Sequence, residues 1–295
     1  MASDDLAALG MHSPGHSRGL LDIPRWRFLL SLLVKKEMRV RYRGSVLGMV
    51  WSYVKPAVQL AVYYFALGKF LRLEKVMPNF VVYLFSGMVI INFFNEVVGN
   101  TTRSVVNNGA LVGKIYLPRE LFPVSSVWVA FVHFVPQVVV LIVGALLFGW
   151  RPGPANLAAV VLCTLLTAAI GLGIGLAFAA WNVMFRDAEN LTDLIAMVAM
   201  WVCPVFYSWQ QVQSIVPDWM WTLYQLNPLA VAVELSRYGF WVDTRGVVAE
   251  GASAASVMPP NFVWWTAIAL VVSALLLVFG QWVFRRLEGK FAQEL

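Results

Sequence analysis

The sequence predicts an all-α polytopic membrane protein, and three observations carry the prediction. Hydrophobic residues fill 60% of the 295 positions and charged residues only 13%, about half the roughly 25% expected of a soluble domain. Apolar runs of about 20 residues recur, each long enough to cross a hydrocarbon core of about 30 Å as a helix. The short alternating segments of a membrane β-barrel do not occur.

The elements follow in order. Residues 1–24 open with a stretch rich in Ser, Gly and His that has no apolar h-region; they are expected to form a flexible cytoplasmic tail rather than a secretory signal. Residues 25–43 have helical periodicity with two faces. Arg27, Ser31, Lys35 and Arg39 recur every four residues, and Trp26, Leu29, Leu30, Leu33 and Val40 gather opposite them. Such a helix suits the membrane interface, its cations toward anionic head groups. A basic stop before the first span is the compatible alternative.

Six transmembrane helices are expected within residues 44–295, at about 50–71, 80–99, 124–148, 157–180, 191–207 and 262–284. Between the fifth and sixth lies the segment 208–260. Its middle is apolar but broken by Asn227-Pro228, and it carries Glu234 and Arg237. A seventh span there would bury both charges, so a re-entrant helical pair is expected. Glu234 and Arg237 stand one turn apart and can neutralise each other.

Charge sets the orientation. With the N-terminus inside, fifteen of the 22 Lys and Arg fall on the cytoplasmic side and six outside, with Lys55 near the start of the first span. The positive-inside rule then places both termini in the cytoplasm. The loop at 101–118 joins the second and third spans. Its Gly- and Pro-punctuated backbone cannot sit in lipid, so it faces the cytoplasm.

Catalytic chemistry is hard to find. Gly109-Ala-Leu-Val-Gly113-Lys114 has one residue too few for a phosphate-binding loop, and Ile115 stands where Ser or Thr is needed. Gly171, Gly173 and Gly175 lie in an apolar helix, where small residues admit close helix packing. Asp187 and Glu189 complement a helix N-terminus. Cys163 and Cys203 lie in apolar runs as small buried residues. No catalytic residue and no metal ligand is assigned. His133 and Gln137, beside Pro136, form a hydrogen-bonded kink or part of a polar path. Glu96 and Lys55 are expected near the cytoplasmic ends, leaving the span centres almost without ionisable groups. An ion-coupled transporter needs such groups at mid-membrane, so the energy source is expected elsewhere. No internal repeat of the kind found in secondary transporters is visible. Aromatics in or near the spans belong to the interfacial belt or line a conduit.

Four segments, taken together and in order, resemble the membrane subunit of ABC-2 type polysaccharide exporters, the O-antigen and teichoic-acid group. They are Arg41-Tyr-Arg-Gly-Ser-Val-Leu-Gly-Met-Val-Trp51-Ser, the run 111–123 ending Leu-Pro-Arg-Glu-Leu-Phe-Pro, Asn182-Val-Met-Phe-Arg186-Asp187, and Pro204-Val-Phe-Tyr207 followed by Leu226-Asn-Pro-Leu229 and Glu234-Leu-Ser-Arg237. The overall texture resembles actinobacterial exporters of lipid-linked cell-wall galactan.

The resemblance implies a homodimer of six-span subunits in the plasma membrane, above two nucleotide-binding ATPase subunits that hold ATP and Mg; no cofactor is expected on this chain. It implies an ATPase-contacting coupling loop with Asn107, Asn108, Ala110, Leu111, Val112, Lys114 and Tyr116. It places the 25–43 helix near the same ATPase and external gate helices at 208–260, with Asn227, Pro228, Glu234 and Arg237. Tyr53, Tyr63, Trp201 and Phe206 are the expected conduit aromatics. Lys35, Arg39, Arg41 and Arg43 either attract a polyprenyl-diphosphate head group or solvate the membrane surface. The expected substrate is a lipid-linked polysaccharide. The alternatives are an ATPase-independent flippase or drug exporter and, further off, a membrane glycosyltransferase working through Asp187 or Glu189.

Overall fold

A computed structural model describes residues 19–112, 117–248 and 257–294. Among them every regular element is a helix. A 3-10 helix, Gly19–Trp26, leads into α1, Arg27–Tyr42. Helix α2, Trp51–Tyr63, passes into a π-helix at Tyr64–Phe70. Then come α3, Phe80–Ser104, a 3-10 turn at Val106–Asn108, and the short α4, Gly109–Val112. Helices α5, Leu121–Leu147, and α6, Pro154–Met184, are the longest. Helix α7 spans Ala188–Val202, α8 Trp209–Ile215, α9 Asp218–Leu226 and α10 Pro228–Phe240. The chain ends in α11, Phe262–Leu287, and α12, Phe291–Glu294.

Local sequence sets the helix starts. Pro154 begins α6, and Asn156 Oδ1 accepts the Gly153 N–H at 2.9 Å. Ser208 and Gln211 cap α8 reciprocally. Asn227 Oδ1 accepts the Leu229 N–H at 3.1 Å, and Pro228 opens α10.

Helix α3 is the axis of the bundle, buried along most of its length and packed on α5, α6, α7 and α10. Helix α6 is a second hub, joining α3, α10 and α11. Small residues permit that: a Cβ built on Gly280 would lie 1.9 Å from the Gly173 carbonyl oxygen, so α6 and α11 meet backbone to backbone. A large apolar core fills the bundle. A separate smaller one, with Leu33, Val105, Val112, Phe122, Leu176, Phe284 and Phe291, welds α1, α4, α5, α6, α11 and α12 at the loop end.

Helices occupy all six expected segments, but four are long and apolar enough to cross a membrane: α3, α5, α6 and the stretch Phe262–Lys290. Helix α2 holds Pro56 and gives way to π geometry after 13 residues. Helix α7 stops after 15 residues, just before Cys203-Pro204, as expected where proline disfavours helix in the preceding residue. The N-terminal boundary also moves. Residues 19–24 of the expected tail lie in the 3-10 helix Gly19–Trp26, whose Leu20 and Ile23 pack on the smaller core.

Candidate functional site

Helix α3 carries three groups of candidate residues, distributed along roughly 37 Å at 1.5 Å per residue.

At its C-terminal end lies the loop. Asn107 and Ala110 are exposed and Leu111 is half-buried. Asn108 and Val112 turn inward, at 5% and 8% exposure. Their i, i+4 spacing puts both on one face of the short turn, and that face packs on the chain itself. Asn108 Nδ2 donates to the Ser104 carbonyl at 2.8 Å and to Glu37 at 3.3 Å, and its Oδ1 accepts from Lys36. The two residues therefore fasten the loop to α1 and α3 rather than display it. Lys114 and Tyr116 lie outside the described residues. Beside the loop, Arg103 donates to Glu189 at 3.1 Å and Asp193 at 3.0 Å, joining α3 to α7. Asn182 adds a bond to Glu189 at 3.0 Å. Glu189, considered as a catalytic acid, is thus one corner of an interhelical tie.

In the middle of α3 the basic helix meets the bundle. Lys35, Arg39 and Arg43 are exposed. Arg41 is exposed too, but it is already paired. Its Nη1 donates to Glu96 Oε1 at 2.5 Å and its Nη2 to Asn100 at 2.8 Å. The same Glu96 oxygen lies 2.5 Å from His133 Nδ1, and His133 Nε2 lies 2.8 Å from the Tyr42 hydroxyl. His133 is twelve residues into α5, about 18 Å along it. Glu96 is eight residues inside α3, about 12 Å from its end. The charged cluster therefore reaches deeper into the bundle than the linear sequence suggested. Gln137 Nε2 donates to the His133 carbonyl one turn back at 3.2 Å.

At the start of α3 lie the residues expected to form a gate. Arg237 is 1% exposed and Glu234 4%. The Arg237 guanidinium donates to Glu234 Oε1 at 2.6 Å, stacks over Tyr83 at 3.7 Å, and donates to the Val205 carbonyl at 3.3 Å. Residues 203–207 form no helix, and a bare backbone buried in a bundle needs partners. Arg237 supplies one. The Tyr83 hydroxyl supplies another, donating to the Tyr207 carbonyl at 2.7 Å. The Tyr207 hydroxyl caps the end of α7 by donating to the Trp201 and Val202 carbonyls. Asn227 Nδ2 reaches Cys203 Sγ at 3.8 Å. All four expected gate residues therefore gather around the broken end of α7.

Three of the four expected conduit aromatics sit on that same break. Tyr63 and Phe206 pack edge to face at 4.9 Å, and Phe206 lies 5.0 Å from Trp201. Phe206 is buried and Trp201 is 61% exposed. Tyr53 is elsewhere, ten residues earlier on α2 and about 15 Å down the helix.

Sequence reading missed Tyr83, Glu37 and Asn100 as parts of these sites. Their neighbours come from helices distant in sequence, so no local motif marks them.

The family described as ABC-2 type transporter matches residues 29–241. The chain is 26% identical over 265 residues to the O-antigen export system permease protein RfbA of Klebsiella pneumoniae, covering 90% of this chain and 94% of that protein. It is 27% identical over 244 residues to RfbA of Myxococcus xanthus, covering 82% and 91%. It is 24% identical over 241 residues to the capsule polysaccharide export inner-membrane protein CtrC of Neisseria meningitidis, covering 76% and 86%. The chain belongs to the ABC-2 type transporter family.

Proposed function

We propose that the chain is the membrane subunit of an ATP-driven exporter that carries a polyprenyl-diphosphate-linked polysaccharide, of O-antigen or galactan type, across the plasma membrane. One observation supports this most: an exposed turn, Asn107 to Leu111, is fastened through buried Asn108 to α1 and to the end of the axial helix α3. A push on that turn is delivered to the helix whose far end holds the gate cluster. Work reaches a membrane helix only through contact with a partner that has two states.

In this reading two copies pair, each with six spans and both termini in the cytoplasm, over two ATPase subunits that bind ATP and Mg. Helix α1 lies at the membrane surface. Lys35, Arg39, Arg41 and Arg43 meet the lipid diphosphate, with Arg41 held in place by Glu96. Trp201 faces the passing sugars, backed by Phe206 and Tyr63, and residues 208–260 gate the outer exit. The names of the relatives, O-antigen and capsule export permeases, support the substrate class.

The Glu96–His133 contact favours a second reading, an ion-coupled flippase using that pair as a proton relay. Reconstitution separates the two. The chain and a nucleotide-binding ATPase subunit should form a stoichiometric complex and move lipid-linked polysaccharide only with ATP. Transport by the chain alone, driven by a proton gradient, would overturn the proposal.

A further inference from the structure

A cleft of about 700 Å³ opens between α2, α3 and α5, within the roughly 300–1,000 Å³ usual for small-ligand sites. Its floor is the closed cluster of Arg41, Glu96 and His133, with bonds of 2.5 Å. One turn further along, three neutral amides converge from three helices: Gln59 from α2, Asn92 from α3 and Gln137 from α5. Their mutual contacts are loose. Asn92 Nδ2 donates to Gln59 Oε1 at 3.3 Å and to Gln137 Oε1 at 3.4 Å, both long for N–H···O bonds. Among the described residues, Gln59 Nε2 and Asn92 Oδ1 make no hydrogen bond at all.

Neither atom is buried, so the amides present a free donor and a free acceptor to the open space of the cleft. The indole of Trp51 lines the same cleft and is 43% exposed. Lys55 also lines it, and among the described residues it has no carboxylate partner, which makes the cleft hostile to a metal cation. Amides both donate and accept, and an indole offers a flat apolar face. That combination matches a ring with hydroxyls on its edge and C–H groups on its face.

We propose that this cleft is a sugar-binding subsite, in which Gln59, Asn92 and Gln137 bond the hydroxyls of one or two sugar residues packed on Trp51. It rests on the proposed function and adds a place where the glycan, rather than its lipid diphosphate, is recognised. It lies at mid-bundle, apart from the aromatic group at the broken end of α7.

The test uses the full complex with its ATPase in nanodiscs and two probes, polyprenyl diphosphate bearing a disaccharide and bare polyprenyl diphosphate. The wild type should bind the disaccharide probe more tightly. Combined Gln59→Leu and Asn92→Leu should weaken that binding about tenfold and bare-lipid binding by less than about twofold, as expected from losing neutral hydrogen bonds to the sugar alone. Equal binding of both probes by the wild type, or equal losses in the variant, would overturn the subsite while the exporter reading stands. A wild type that binds neither probe would overturn that reading and the subsite with it. A second measurement is independent of the double variant's folding: maleimide labelling of Gln59→Cys should be slowed by the disaccharide probe and not by the bare lipid. The native Cys163 and Cys203 are buried and give little background. Labelling unaffected by the disaccharide probe would overturn the subsite.

Discussion

Replacing Arg237 with Met removes a cation from a site that its carboxylate cannot leave. Glu234 and Arg237 are 4% and 1% exposed. The guanidinium makes the 2.6 Å bond to Glu234, the 3.7 Å stack on Tyr83 and the bond to the Val205 carbonyl. Breaking a buried pair by deleting one partner costs about 3–5 kcal/mol. The stack, worth about 2 kcal/mol when desolvated, lies largely inside that figure because the same group makes both contacts. Replacing both charges together, as Glu234→Leu with Arg237→Met, leaves no ion behind, and such double changes are often near neutral. The single variant should therefore be much less stable than the double. Unfolding of the purified complex in mild detergent, followed by tryptophan fluorescence, measures the difference. Trp241, one of 13 tryptophans, packs on Tyr83 at 4.9 Å and contributes to that signal. A single variant as stable as the wild type, or a double as unstable as the single, would refute the reasoning.

Asn108→Leu should keep the loop exposed but cut its ties to Lys36, Glu37 and the Ser104 carbonyl, leaving a buried acceptor unpaired at a cost of about 1–3 kcal/mol. The expected result is normal ATPase binding with more ATP hydrolysed per polymer exported; an unchanged ratio would make Asn108 a bystander. Gly280→Ala should force α6 and α11 apart, since the added methyl meets the Gly173 carbonyl. Overpacking of this kind costs about 1–3 kcal/mol or more, read as a lower melting temperature; an unshifted one would show that the two helices separate freely.

Much of this molecule is legible in the linear chain. Apolar runs marked the helices, and the Asn227-Pro228 break marked the start of α10. The stripe Arg27, Ser31, Lys35 and Arg39 is exposed, but so are Trp26 and Val40 from the face expected opposite it. The i, i+3 spacing of Glu234 and Arg237 announced their bond. Depth was harder. Glu96 looked peripheral because hydropathy treats each segment alone, yet His133 from α5 and Arg41 from α1 meet it inside the bundle. Helix rotation was also hidden. Asn108 and Val112 read as surface residues because the loop is polar overall, and only the fold shows which side of a four-residue helix is inward. Tyr53 and Tyr63 share a helix, but ten residues separate their surroundings.

The central claim is that an external motor pushes on the turn beyond α3. A Cys placed at exposed Ala110, in a chain whose own cysteines are buried, tests it most directly. In intact cells it should resist an impermeant maleimide added outside, react once the membrane is opened, and crosslink to the ATPase when that subunit is bound. Labelling from outside, or free labelling with the ATPase bound, would contradict the account.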